Sequence, residues 1–359
     1  MKVKLGELTK IRTGKLDANA ASENGEYPFF TCSKEPLRIS TYSYDCECVL
    51  VAGNGDLNAK YYNGKFDAYQ RTYIIESNGD GRLHLPYLYH FMTRYIQELR
   101  KLSIGGVIKY IKLGNLTDAE IALPSIKEQK DACEKLEKIK NIIDEKETQI
   151  SYLDNLIKAR FVEMFGNVVA NDKGWPTEPI SKAAPTSSPK IKNNETVWLL
   201  NLDMVESQSG KVISKLIVSE DKINASTCTF DENNVLYSKL RPYLNKVVLP
   251  DQEGYCTTEL VPLRPGKELT REFLATLLRS DAFVGYINEK TAGAKMPRVS
   301  MNIFRQFECI LPPIALQQQF SEFYNQVDKS KFALGNELAM GNFYIRLIYD
   351  CIMHGRVDL

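Results

Sequence analysis

Two stretches of the chain place apolar residues at helical spacing and contain almost nothing that would break a helix. Residues 127–164 hold neither glycine nor proline. Within them Leu136, Ile139, Ile143, Ile150, Leu153, Ile157 and Met164 recur at alternating steps of three and four, with Lys146 and Arg160 interrupting the stripe. This heptad pattern predicts one long helix with a single apolar seam. At ~1.5 Å per residue, about 38 residues reach roughly 57 Å, and a seam that long needs a partner. The second stretch supplies one. Phe320, Phe323, Val327, Leu334, Leu338, Tyr344, Ile348 and Ile352 form a weaker stripe, diluted by Gly335 and Gly341. The two helices are expected to pack antiparallel, with the segments that precede them at opposite ends.

Those preceding segments read differently. Strand-like runs (Cys48 to Ala52, Tyr73 to Glu76, Val197 to Leu202, Val235 to Ser238, Lys246 to Leu249) are separated by turn signals such as Asn24-Gly25, Gly53-Asn54-Gly55, Asn63-Gly64, Asn78-Gly79 and Glu253-Gly254. A helical run follows in each half, Leu85 to Leu102 and Thr270 to Glu289, and then a glycine-led segment ending in Leu-Pro. The order is an internal repeat. Leu123-Pro124-Ser125-Ile126 with Gln129 matches Leu311-Pro312-Pro313-Ile314 with Gln317 at an offset of 188, which also carries Gly105 to Gly293. The chain therefore reads as α+β: two similar mixed β/α recognition domains joined by a long antiparallel two-helix coiled-coil spacer. The expected limits are 1–125 for the first module, 126–166 for the first spacer helix, 167–314 for the second module, and 315–359 for the second helix and tail. Gly166 reads as the stop of the first helix, and Ser181 to Pro189 as an extended loop.

Composition narrows the picture. With 359 residues, 43% hydrophobic and 25% charged, the chain is an ordinary globular sequence of two or three domains. No run approaches the ~18 apolar residues of a membrane span, and Met1 to Lys10 lacks the apolar core of a signal peptide, so a cytoplasmic protein with no membrane partner is expected. The 8 scattered cysteines read as reduced thiols. A net charge of +1 lacks the basic excess usual for a nucleic-acid binder. DNA contact would require cations gathered on one surface.

Catalytic material is scarce. The only histidines are His84, His90 and His354, and Cys46 and Cys48 lack the spacing and second pair of a zinc site; no metal and no cofactor are expected. Gly53-Asn54-Gly55 is not followed by Gly-Lys-Ser/Thr, so a turn is favoured over a phosphate cradle. No methyltransferase Asn/Asp-Pro-Pro-Tyr/Phe element occurs. Asp118, Glu128 and Lys130 have nuclease-like spacing, but Glu128 opens a helix, where the dipole accounts for it.

The order of parts resembles the specificity subunit of type I restriction–modification systems. The likeness is carried by Val235-Leu236-Tyr237-Ser238-Lys239-Leu240-Arg241-Pro242-Tyr243-Leu244-Asn245-Lys246, by Thr257-Thr258-Glu259-Leu260, by the segment Gly293 to Ser300, and by Phe165-Gly166 with Lys173-Gly174-Trp175-Pro176. The first half carries Ala52-Gly53-Asn54-Gly55-Asp56 in place of Ser-Lys-x-Arg-Pro. The resemblance implies a non-catalytic subunit that reads a bipartite double-stranded DNA target, one half-site per domain. It also implies docking to a methyltransferase subunit, which would use S-adenosylmethionine, and to a helicase–nuclease restriction subunit.

On that reading, Lys239, Arg241, Tyr243 and Lys246 flank the Pro242 turn and would meet DNA, since Arg pairs bidentately with guanine and Lys suits phosphate. Lys295, Arg298 and Ser300 follow Gly293, and Lys109, Tyr110 and Lys112 hold the same place after Gly105. Asn54, Asn58, Lys60, Gln70 and Arg71 are candidate readers in the first module. The alternatives are a duplicated protein-binding adaptor, which the near-neutral charge favours, and a metal-dependent nuclease on Asp118, Glu128 and Lys130.

Overall fold

The computed structural model describes residues 2–191, 195–224, 226–291 and 297–355. They form two compact units, one of Met1–Glu147 with Gly335–Leu359 and one of Thr148–Leu334. Each unit takes one module and half of each long helix.

The first unit begins with β1 (Lys2–Lys4), α1 (Leu5–Leu8), β2 (Thr9–Thr13), β3 (Tyr27–Phe30), β4 (Leu37–Ile39), β5 (Tyr44–Ala52), β6 (Ala59–Ala68) and β7 (Thr72–Ser77). Then come α2 (Leu85–Leu102), α3 (Leu113–Thr117) and β8 (Glu120–Ala122). Six strands make one sheet in the order β2-β7-β5-β6-β3-β4, while β1 pairs antiparallel with β8. The uninterrupted apolar run Cys48 to Ala52 exists because β5 is covered on both faces. Val49 and Val51 point toward Leu88, Phe91 and Met92 of α2, and Cys48 and Leu50 join Phe30, Tyr44 and Phe66 on the other side.

The first long helix is α4 (Ile126–Phe165). The second unit continues with β9 (Thr177–Pro179), α5 (Ile180–Ala183), β10 (Thr196–Leu200), β11 (Leu216–Ser219), β12 (Thr227–Phe230), β13 (Val235–Ser238), β14 (Val247–Val248), β15 (Gly254–Thr257) and β16 (Leu260–Leu263). It ends with α6 (Arg271–Arg279), α7 (Asp281–Glu289), α8 (Met301–Arg305), β17 (Glu308–Ile310) and the second long helix, α9 (Ile314–His354). The sheets are β11-β10-β15-β12 and β14-β13-β16, with β17 antiparallel to β9. The helix expected over Thr270 to Glu289 is two. Ser280 is extended (φ −62°, ψ 143°), and its hydroxyl accepts from the Phe283 N–H at 3.2 Å, capping a second helix where the first stops.

The long helices pair antiparallel. In the first unit Leu136 of α4 shares a core with Ile348, Tyr349 and Ile352 near the end of α9. In the second, Ile157, Phe161 and Phe165 near the end of α4 meet Phe320, Tyr324 and Val327 near the start of α9. Phe161 and Phe165 were absent from the heptad stripe, yet their rings lie 5.3 and 5.6 Å from Phe320 and 5.4 and 4.7 Å from Phe273. Lys146, which breaks the stripe, pairs with Glu337 at 2.7 Å. Tyr344 is exposed and Ile345 packs against the core instead, one heptad after Leu338. Gly341 belongs to the seam: a Cβ there would stand 3.1 Å from the Ile143 side chain. The small residue lets the helices approach.

The repeated glutamine is a clasp. Gln129 is fully buried; its carbonyl accepts from the His84 N–H (2.9 Å), and its amide donates to the Arg82 (2.8 Å) and Pro124 (2.9 Å) carbonyls. Gln317 does the same, accepting from the Thr270 N–H (3.0 Å) and donating to Glu268 (2.9 Å) and Pro312 (2.7 Å). Each ties the start of a long helix to the segment entering its module's main helix.

Candidate nucleic-acid interface

A loop leaving a central strand is stitched, in each module, to the glycine-led segment that precedes Leu-Pro. In the first module the Gly53 N–H donates to the Arg71 carbonyl (2.8 Å), the Ile111 N–H to Gly53 (2.9 Å) and the Gly55 N–H to Lys109 (2.9 Å). In the second the Lys239 N–H donates to Glu259 (3.0 Å), the Val299 N–H to Lys239 (2.8 Å) and the Arg241 N–H to Pro297 (2.8 Å). Isolated antiparallel bridges, Asn54 with Tyr110 and Leu240 with Arg298, mark the same place. The two stations correspond bond for bond at sequence offsets of 186 to 188. The correspondence includes conformation. Gly55 has φ 69°, and Arg241 occupies the same left-handed region at φ 50°. The first module lacks the Ser-Lys-x-Arg-Pro wording, but it keeps the backbone.

These stitches bring most of the sequence-selected residues together. Arg71, Lys109, Tyr110 and Lys112 are exposed on the segments that these bonds join, with half-buried Asn54 bridged to Tyr110 and exposed Gln70 beside Arg71. Among the described residues no ion pair engages Arg71, Lys109 or Lys112. Asn58 and Lys60 do not join them. The Asn58 amide donates to the carbonyls of Cys32 and Asp56 (both 2.8 Å), and the Lys60 ammonium donates to the Asn58 side-chain oxygen. Partial burial holds the Lys60 ammonium below its ordinary pKa. Both side chains brace the loop.

In the second module Lys239, Arg241, Tyr243, Arg298 and Ser300 cluster at the equivalent station, with Tyr243 and Ser300 exposed. Pro242–Leu244 is a single tight turn held between left-handed Arg241 and Asn245. Lys246 points elsewhere: its ammonium donates to the Leu202 carbonyl at 2.9 Å, and burial lowers its pKa. Lys295 lies outside the described residues.

Two residues at this station were not among the candidate site residues. Glu259 pairs with Arg298 at 2.8 Å, the carboxylate mostly covered (24% exposed) and the guanidinium open (63%). It occupies the place of Arg71, so the two modules carry opposite charges at one backbone position. Gln208, itself at φ 69°, donates its amide to the Tyr243 carbonyl (2.9 Å) and its N–H to the Leu244 carbonyl (2.8 Å). Only the Thr-Thr-Glu wording pointed toward Glu259, and no local pattern pointed to Gln208.

The nuclease-like trio is not assembled as a site. Asp118 pairs with Lys4 (3.1 Å). The Glu128 carboxylate accepts from the Ser125 N–H (2.8 Å) and hydroxyl (2.7 Å), a capping box at the start of α4 that also holds this carboxyl below its ordinary pKa. No helix of the described residues is long and apolar enough to cross a membrane.

Comparison with known proteins agrees with this architecture. A family model of the type I restriction modification DNA specificity domain matches residues 1–153 and 178–339. The chain is 28% identical over 382 residues to the type I restriction enzyme EcoDI specificity subunit of Escherichia coli, across 95% of this chain and 84% of that protein. Among solved structures, the S subunit of a type I restriction–modification system from M. genitalium shares the fold with a TM-score of 0.63 at 13% identity, covering 98% of this chain and 95% of that one. A chain from a study of complex assembly and conformational transition in a type I system gives 0.55 at 15% identity, covering 100% and 98%.

Proposed function

The chain belongs to the type I restriction–modification DNA specificity family, and from that premise we propose that its two modules, residues 1–125 and 167–314, each read one half of a bipartite duplex target. Proteins of this family are the non-catalytic recognition components of their complexes. The observation that carries the proposal is the duplicated station, where the same three backbone hydrogen bonds present two different sets of side chains.

At the first station Lys109 and Lys112 meet phosphates, and Asn54, Gln70 and Arg71 face base edges. At the second, Arg241 and Arg298 are the base readers, and Lys239, Tyr243 and Ser300 contact the backbone. Spacer segments 126–166 and 315–359 set the interval between half-sites. Apolar residues left exposed on the long helices, Tyr152 and Leu156 on one and Phe332 and Phe343 on the other, dock a methyltransferase subunit that binds S-adenosylmethionine and carries the chemistry. A helicase–nuclease subunit joins that complex, which works in the cytoplasm.

The test is to sequence methylated bases in cells expressing this chain with its methyltransferase. The expected result is one bipartite motif, with its first or second half altered separately by Arg71→Ala or Arg298→Ala. A continuous motif, or both halves altered by either change, would overturn the assignment of one half-site to each module.

A further inference from the structure

The first module's station ends in a feature that base reading does not use. Val107 at its tip is completely exposed (104%) and Ile108 is 62% exposed, and Leu102, Ile104 and Leu113 nearby also face solvent. An aliphatic cluster on a loop tip is a binding surface in want of a partner.

The tip is not slack. Ile104 and Tyr110 exchange two backbone hydrogen bonds (3.0 and 2.9 Å), closing a tight loop. Gly105 makes the corner at φ 112°, where a Cβ would lie 2.6 Å from the Ile108 carbonyl. The loop is then stitched through Lys109 to Gly55, so the aliphatic tip is held in fixed register with Arg71, Lys109 and Lys112. We propose that Val107 and Ile108 form a wedge that presses between base pairs of the first half-site, while the adjacent lysines grip phosphates. This rests on the reading of the module as a DNA reader.

Two observations favour duplex DNA as the occupant. The cations beside the tip have no ion-pair partner among the described residues, and phosphates answer them. The apolar area is also small. Even with Leu102, Ile104 and Leu113 counted, five side chains, four of them only partly exposed, fall short of the roughly 800 Å² per partner that a stable protein interface buries. Apolar side chains inserted between steps, flanked by cations on the backbone, are an established way to bend and hold a duplex. At an offset of 188 the second half carries Lys295 and Met296 in place of Val107 and Ile108, so the pair of β-branched aliphatic residues belongs to the first half of the sequence.

The experiment uses the full chain assembled with its methyltransferase and duplexes carrying 2-aminopurine at successive steps of both half-sites. The expected result is a rise in fluorescence on binding at one step of the first half-site, separate from the rises at the bases that the methyltransferase itself extrudes. That rise should vanish with Val107→Ser/Ile108→Ser, persist with Val107→Leu/Ile108→Leu, and be accompanied by roughly tenfold weaker binding of the serine variant. Absence of any rise besides those at the extruded bases, or such a rise unchanged by the serine variant, would overturn the wedge while leaving the bipartite motif intact. A serine variant that no longer assembles with the methyltransferase would show that the tip is a subunit contact and overturn the proposal. If the wild-type complex reads no DNA motif at all, the underlying reading fails with it, and the methylation map reports that separately.

Discussion

Arg241 lets backbone strain and DNA reading be separated in one position. It sits at φ 50°, ψ 66°, a conformation that costs a side-chain-bearing residue about 1–2 kcal/mol and that the first module assigns to Gly55. Arg241→Ala removes the guanidinium and keeps the strain; Arg241→Gly removes both. Glycine gives back roughly 0.5–1 kcal/mol through the greater freedom of the unfolded chain. The glycine variant is therefore expected to be more stable than the alanine variant by about 0.5–1 kcal/mol, a difference of roughly 1–4 °C in melting temperature for a unit of this size. The two should be equal on DNA, each losing about 1–3 kcal/mol of affinity and relaxing one base of the motif. Thermal melts with titrations at fixed salt read both quantities. An alanine variant as stable as the glycine variant would refute the strain argument. An unchanged motif in both would remove Arg241 from the readers.

Other expectations follow from the same geometry. Gln317→Ala or Gln129→Ala orphans three backbone groups, at about 1–3 kcal/mol each, so a urea midpoint that moves by the equivalent of less than about 1 kcal/mol would refute the clasp. Lys109→Ala and Lys112→Ala should each lower the salt slope of binding by about one, with sequence preference intact; a slope that does not move would place those lysines off the phosphates. Lys246→Met should leave that slope alone, because its ammonium is already held by the Leu202 carbonyl. Matched insertion of one heptad into each long helix adds about 10 Å, or about three base pairs, and should lengthen the unspecified gap in the motif by that number; an unchanged gap would sink the ruler.

The fold was readable in the sequence where patterns are long and local. The glycine-free heptad stretch and the twice-used Leu-Pro with its glutamine specify both helices and the repeat. What escaped depends on contacts distant in sequence. Phe161 and Phe165 look like the end of a helix until Phe273 and Phe320 pack on them. Gly341 looks like a flaw in a stripe until Ile143 is placed against it. The site shows the same division. The loop carrying Lys239 was found by the family resemblance and the loops carrying Arg298 and Lys109 by their place in the repeat, whereas Lys246 turned inward and Glu259 turned toward Arg298 for reasons that only the folded backbone supplies.

The repeat also bears on the kind of target these stations can read. Palindromic sites arise when a protein presents identical side chains through a two-fold axis. Here the stations share their backbone hydrogen bonds, but Gly55 faces Arg241 in the correspondence, Arg71 faces Glu259, and Tyr110 faces Arg298. Because the frame is held by main-chain groups, none of these exchanges disturbs it. Side chains are free to differ while the presenting geometry stays constant, with Arg241 accepting a left-handed backbone to keep it. A duplicated frame with unlike readers predicts a target whose halves are unrelated in sequence. A palindromic methylation motif would show that the matched backbone, and not these side chains, determines what is read.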